Sequence, residues 1–352
     1  MTLSVSPQGV FGPKWLGSLA LALTLGCGAE SEPVPKQTQP PGATPEQGPP
    51  ENAIGGFSVQ FPDVTLAPGE ERTPCWVFPL EIDGPSRFVG GASLTTTAGL
   101  HHGNLTSRKK TGEGVRPCEK GKGGVFDGEA GDILGGGSVL FGSSTQLVGT
   151  EWRRFPEGQA YRVKDDYEVV ARMHFINTSA KPITLAPKYE WFTVPEADVS
   201  QEIAPFIWIL SDFEIPPKSE YSVDTECWVG APMKIVDAMP HMHALGERFQ
   251  ISYVGGKKDG EVFLDDRGFD EASDIYSFNP AIDLSQGNGF RFGCTWKNTF
   301  NKPIVEGIGD NEMCMLFGYS YPVENAYSAL ATREKCVVAP SPPPDWMPPG
   351  AQ

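Results

Sequence analysis

Apolar residues in this chain fall into short runs of β type, and no long stretch carries them at helical spacing. Phe57-Ser58-Val59-Gln60-Phe61, Glu168-Val169-Val170-Ala171, Phe206-Ile207-Trp208-Ile209-Leu210 and Phe249-Gln250-Ile251-Ser252-Tyr253-Val254 are the clearest. Each run is predicted to be a strand. The segments between them are rich in glycine and proline, of which the chain has 41 and 33. Many short strands separated by turn residues predict an all-β protein built from β-sandwiches.

The pattern breaks at both ends. Residues 15–25 are apolar, follow the single Lys14, and are too short to span a bilayer. Leu23-Thr24-Leu25-Gly26-Cys27 then reads as a lipoprotein cleavage box with Cys27 as the lipidated residue, Thr24 being a departure from the usual aliphatic position. An ordinary secretory signal beside a cysteine is the alternative, and either reading exports the chain. Pro, Gln and Glu dominate the following residues to position 54, a tether that would lift a folded body off a membrane. A Pro-rich tail, 339–352, ends the chain. The body between is long enough for two domains, predicted at 55–196 and 197–338. Within it, residues 103–137 read as a long glycine-rich surface loop pinned by Cys118, or as a lid. Gly121-Lys122-Gly123-Gly124 lacks the spacing of a phosphate loop.

Charge narrows the partners. A formal net charge of −16 repels polyanions, so nucleic acid is not expected. Membrane contact is expected only through the N-terminal lipid. Six cysteines remain after Cys27, an even number suited to three disulfides in an oxidising compartment. No Cys-X-X-Cys spacing offers a zinc site.

The chain's five histidines fall into three groups: His101-His102, His174, and His241-Met242-His243. On a strand His241 and His243 would share a face and one ion. Adjacent His101 and His102 need a bend or bulge to converge, which Gly99 and Gly103 would permit. His174, in the strand-like run Val169 to Phe175, either completes a three-nitrogen site or is a core residue. Met313, in Asp310-Asn311-Glu312-Met313-Cys314, adds a thioether donor, which selects for copper and for Cu(I) above all. Asp237 reads as an acceptor behind His241 or as a solvated strand residue. Asp310 and Glu312 are similarly open.

Together, His101-His102, Arg172-Met173-His174-Phe175, Pro240-His241-Met242-His243-Ala244-Leu245-Gly246 and Asp310-Asn311-Glu312-Met313-Cys314 carry a resemblance. In order and separation they resemble the copper type II, ascorbate-dependent monooxygenases, from about Cys75 to Cys336. The resemblance implies two antiparallel jelly-roll-like β-sandwich domains in tandem. It also implies two copper ions, an electron-transfer copper on His101, His102 and His174 and an oxygen-binding copper on His241, His243 and Met313. Separate domains would leave an open cleft for substrate between them. The implied disulfides are Cys75–Cys118, Cys227–Cys336 and Cys294–Cys314.

The expected activity is hydroxylation of a C–H bond of a small molecule with O2 and ascorbate or a similar reductant. Members acting on peptides hold a carboxylate with an arginine, an asparagine and a tyrosine; Met239, Met315 and Phe317 stand at those positions. A neutral or aromatic substrate is therefore expected. Arg172 replaces a glutamine, which puts an electron route through that position in doubt. An exported copper-storage or delivery lipoprotein would use the same ligands without turnover, and a metal-free β-sandwich module would use none of them.

Overall fold

The computed structural model describes residues 48–340 except 85, 119–138, 144–146, 230–231, 269–274 and 308–310. The signal with Cys27, residues 28–47 of the tether, the tail from 341, residues 119–137 of the loop or lid expected at 103–137, and Asp310 lie outside the described residues. Strands form everything regular among them, apart from four three-residue 3₁₀ turns.

Alternation decides which side chains go inside. In the first half, one sheet is ordered Gly55–Gln60, Lys188–Val194, Ser86–Thr96, Gln159–Lys164, Gln201–Glu202, with Gly149–Arg154 also on the Ser86–Thr96 strand. A second sheet is ordered Arg116–Pro117, Cys75–Pro79, Tyr167–Ile176, Leu100–Lys109, Val139–Gly142, with Glu71–Arg72 also on the Tyr167–Ile176 strand. Leu94, Tyr189 and Trp191 of the first interleave with Leu105, Val169, Ala171, Met173 and Phe175 of the second in one core. The second half repeats the plan. A six-stranded sheet runs Tyr276–Asp283, Lys234–His241, Met315–Tyr321, Ala204–Leu210, Tyr327–Ala331, Cys336–Pro340. It covers a four-stranded sheet of Glu220–Trp228, Gly289–Lys297, Gly246–Val254 and Val262–Arg267. Trp208 stacks on Phe290 at 3.7 Å between ring centroids across that core. Strand pairing is antiparallel except for Gln159–Lys164 with Gln201–Glu202 and Ala204–Leu210 with Tyr327–Ala331. The protein is all-β with β-sandwich architecture, as its apolar pattern predicts.

The predicted loop at 103–137 is overturned at its start. Residues 103–109 belong to the Leu100–Lys109 strand, paired along its length with Tyr167–Ile176. Gly103 serves packing instead of turning: a Cβ there would lie 2.3 Å from Met173 Sδ. Pro50 is buried against Gly90 and Gly91, so residues at the end of the tether lie on the folded body.

All three disulfides pair as the resemblance implied, with Cα separations of 5.3 Å for Cys75–Cys118, 5.3 Å for Cys227–Cys336 and 5.9 Å for Cys294–Cys314. Cys227–Cys336 joins the two sheets of the second sandwich and spans 109 residues of sequence. Chain entropy for a loop that long is about 4–5 kcal/mol, an upper figure in practice. Replacing both cysteines with serine should lower the unfolding free energy in denaturant by an amount approaching that. A loss comparable to that of a surface substitution would show that packing already holds the closing strand.

Candidate metal centre

Two irregularities in the strands build the site. The ladder between Leu100–Lys109 and Tyr167–Ile176 pairs His174 with His102 and Phe175 with Leu100, leaving His101 as the extra residue of a bulge. That bulge brings adjacent histidines together, as expected from Gly99, whose φ of +111° few other residues adopt. Imidazole centroids are 5.1 Å apart for His101 and His102, 4.8 Å for His101 and His174, and 5.0 Å for His102 and His174. One potential ligand atom from each lies within 4.8 Å of the others.

His241 ends its strand and His243 lies in the turn beyond it, so shared strand alternation is not what joins them. Hydrogen bonds fold the turn instead, and the two rings stand 5.2 Å apart. Glu312, almost fully buried, accepts the backbone N–H groups of His243 and Leu245 at 2.8 Å each and Trp296 Nε1–H at 3.0 Å. Burial pushes its carboxyl up to about 7, opposed by these donors and the Met313 backbone. Glu312 is thus an anchor of the histidine turn, which settles the role left open from its sequence position.

Among the described residues the two histidine sets lie against each other instead of across the expected open cleft. The His102 ring is 5.9 Å from that of His241 and 5.8 Å from that of His243. The sets abut because the sheet carrying His102 and His174 faces the sheet carrying His241. On the second sheet the pairs Asp237–Tyr319, Met239–Phe317 and His241–Met315 project toward the first sandwich. Met239, Met315 and Phe317 pack with Ile207 in a buried apolar cluster, and half-buried Met313 lies against it. Arg172 is on the histidine-bearing face, two residues from His174, and its Nη1 donates to Thr106 Oγ1 at 3.4 Å.

Which nitrogens could hold a metal follows from which are already engaged. His243 Nδ1–H donates to the Asn311 carbonyl at 2.7 Å, leaving Nε2 with the lone pair. His174 Nε2 meets Glu71 Oε1 at 2.5 Å, leaving Nδ1. His101 Nδ1, His102 Nδ1, His174 Nδ1 and His243 Nε2 are all buried with no hydrogen-bond partner. Unsatisfied buried nitrogens are costly. Those of His101, His102 and His174 lie close enough together that they could hold one metal ion, and neutral imidazole is a donor that copper accepts.

Burial, with the neighbouring imidazoles, holds the rings neutral: His102 is pushed down to about 2, His241 to about 3 and His101 to about 4. Their ordinary value is 6.5, so the folded metal-free protein binds fewer protons than the unfolded chain below that pH. This contribution to stability is present above pH 6.5 and is lost as pH falls through 4 toward 2. Denaturant midpoints of chelator-treated protein should therefore drop between pH 7 and 4, and His102→Gln should flatten the slope. An equal slope in the variant would remove His102 from the explanation.

Asp237 is neither an acceptor for His241 nor solvated. It is a buried partner of Arg153, Nη2 to Oδ1 2.8 Å. A register shift between Ile235 and Asp237 accompanies its orientation toward the first sandwich. Glu71, the Asn311 carbonyl and Arg153 were not singled out in the sequence; none carries a local signal.

Residues 205–340 match the family model described as "Copper type II ascorbate-dependent monooxygenase, C-terminal domain". The match contains His241, His243 and Met313, whereas His101, His102 and His174 precede it. No curated protein matches the chain. Among solved structures, "Crystal Structure of the STIV MCP" is 9% identical, covering 76% of this chain and 96% of that one, with a TM-score of 0.33. "Crystal structure of infectious bursal disease virus VP2 subviral particle" is 10% identical, covering 79% and 75%, with a TM-score of 0.20. Similarity at that level says nothing about the site.

Proposed function

We propose that the protein is an exported copper-dependent monooxygenase that hydroxylates a C–H bond of a small neutral or aromatic compound, using O2 and ascorbate or a similar one-electron reductant. The observation that carries this reading is the group of partnerless imidazole nitrogens on His101, His102 and His174, with the His102 ring against His243 of a segment that matches a copper monooxygenase C-terminal domain. His101, His102 and His174 would hold one copper through Nδ1. His241, His243 and Met313 would hold the second, with His243 using Nε2. Copper in such sites supplies one-electron chemistry with O2, and a thioether favours Cu(I). Glu71 and the Asn311 carbonyl orient the rings and fix their tautomers. Three disulfides support an oxidising compartment, in keeping with export and a lipid anchor at Cys27.

Met239, Met315, Phe317 and Ile207 form a buried apolar cluster beside His241. An ionised carboxylate placed against them loses hydration at a cost of several kcal/mol. Neutral compounds with a benzylic C–H are thus better substrates than glycine-extended peptides. The test is oxygen uptake by copper-loaded protein with ascorbate, across a panel of both kinds. Uptake coupled to formation of a hydroxylated neutral product is expected. Tight copper binding without substrate-dependent uptake would move the protein to the storage and delivery class. Equal turnover of glycine-extended peptides would refute the substrate assignment.

A further inference from the structure

The Lys234–His241 strand touches the first sandwich at several places along its length, and Val236 at its bulge is buried in the first sandwich's core. Asp237, Met239 and His241 alternate onto one face, opposite Tyr319, Phe317 and Met315 of the neighbouring strand. His241 meets His102 at one end. In the middle, Met239 packs on Gly142 so closely that a Cβ there would lie 2.8 Å from Met239 Cε. At the other end Arg153, from the Gly149–Arg154 strand of the first sandwich, pairs with Asp237.

That ion pair is buried. Its side chains are 6% and 10% exposed. The Arg153 guanidinium also lies over the Tyr319 ring at 4.8 Å, and Asp237 accepts the Tyr319 backbone N–H at 3.2 Å. Tyr319 stacks on Tyr161 at 5.4 Å, meets Phe155 edge-on at 4.6 Å, and donates its hydroxyl to the Leu140 carbonyl at 3.3 Å. Arg153, Phe155, Tyr161 and Leu140 all come from the first sandwich, and Asp237 and Tyr319 from the second. A buried ion pair adds little stability over an apolar pair of the same volume; its best-attested use is to fix register. Here it fixes where the second sandwich sits. Arg153 belongs to the sheet that does not carry the histidines, so the strand is held from both sheets of the first sandwich. Asp237 and His241 are four residues apart on one strand, about 13 Å.

We propose that the Arg153–Asp237 pair is a positioning clasp that holds His241 and His243 against His102, so that the two histidine sets form one closed centre. Without the clasp Val236, Met239 and Tyr319 still pack on the first sandwich, but the Lys234–His241 strand loses its fixed position along it and the sets separate. The metal consequence rests on the copper reading above; the ring-to-ring contact does not.

The test uses the double variant Arg153→Met/Asp237→Leu, which removes both charges and leaves no lone buried ion, beside the single variant Asp237→Asn. With five histidines in the chain, selective histidine labelling gives a sparse NMR spectrum of the metal-free protein. The parent should show imidazole cross-peaks within each set and also from His102 to His241 and His243. Both variants should keep the within-set peaks and lose those between sets. Persistence of the between-set peaks in both variants would overturn the clasp, as would loss of the within-set peaks, since the pair would then support the fold in general. Pulsed EPR on Cu(II)-loaded protein is the second readout, with a longer metal–metal distance expected in the variants. A protein that binds no copper while its cross-peaks follow the clasp would refute the copper reading and leave the positioning role standing.

Discussion

Exchanging both His241 and His243 for alanine should lower the copper retained after dialysis against a weak chelator from two ions per chain to one. The remaining set keeps its geometry because the bulge at His101 and the bond from Glu71 to His174 depend on the first sandwich alone. Removing two of three donors from the other centre should weaken it by far more than the roughly 10–100-fold typical of an outer-shell change. Contact between the sets adds a spectroscopic signature. The rings lost from the variant touch His102, so the retained Cu(II) should show an altered EPR spectrum. Retention of two ions, or loss of both, would show that the sets are not independent ligand groups. A single ion with an unchanged spectrum would place that ion away from His102.

Local chemistry made much of the architecture legible. Alternating apolar runs mark the strands, and the bulge follows from the impossibility of aiming adjacent histidines to one side of a regular strand. Gly103 shows where such reading stops: the same residue that signals a loop also permits close strand packing, and only the neighbour Met173 decides between them. The site's outer partners were illegible for a related reason. Glu71 lies 103 residues from His174, and Arg153 84 residues from Asp237. Each is an ordinary charged strand residue until a distant strand gives it a partner. The closed arrangement of the histidines was hidden in the same way. It depends on how one sandwich packs on the other, through residues such as Tyr319 and Gly142 that carry no chemistry of their own.

Glu312→Gln should destabilise the second sandwich and loosen its copper together, because one carboxylate serves both. Oε2 accepts the His243 N–H and Trp296 Nε1–H, and Oε1 accepts the Leu245 N–H. A glutamine of the same shape has one acceptor oxygen and turns an NH2 group toward the remaining donors. At least one buried N–H is then left facing another donor, at roughly 1–3 kcal/mol for each group left unpaired. The expected loss in unfolding free energy is about 2–4 kcal/mol, large for a change of one atom. Packing should survive, since the neighbouring Cys294–Cys314 bond still ties the strands on either side. The histidine turn should not: with its N–H released, His243 no longer holds Nε2 at the cluster edge. Copper affinity at that centre should fall while the His101, His102 and His174 centre is unaffected. Stability measured by denaturant and copper measured by competition should thus move together in this variant. A normal copper affinity in a destabilised protein would show that the Asn311 carbonyl alone holds His243 in place.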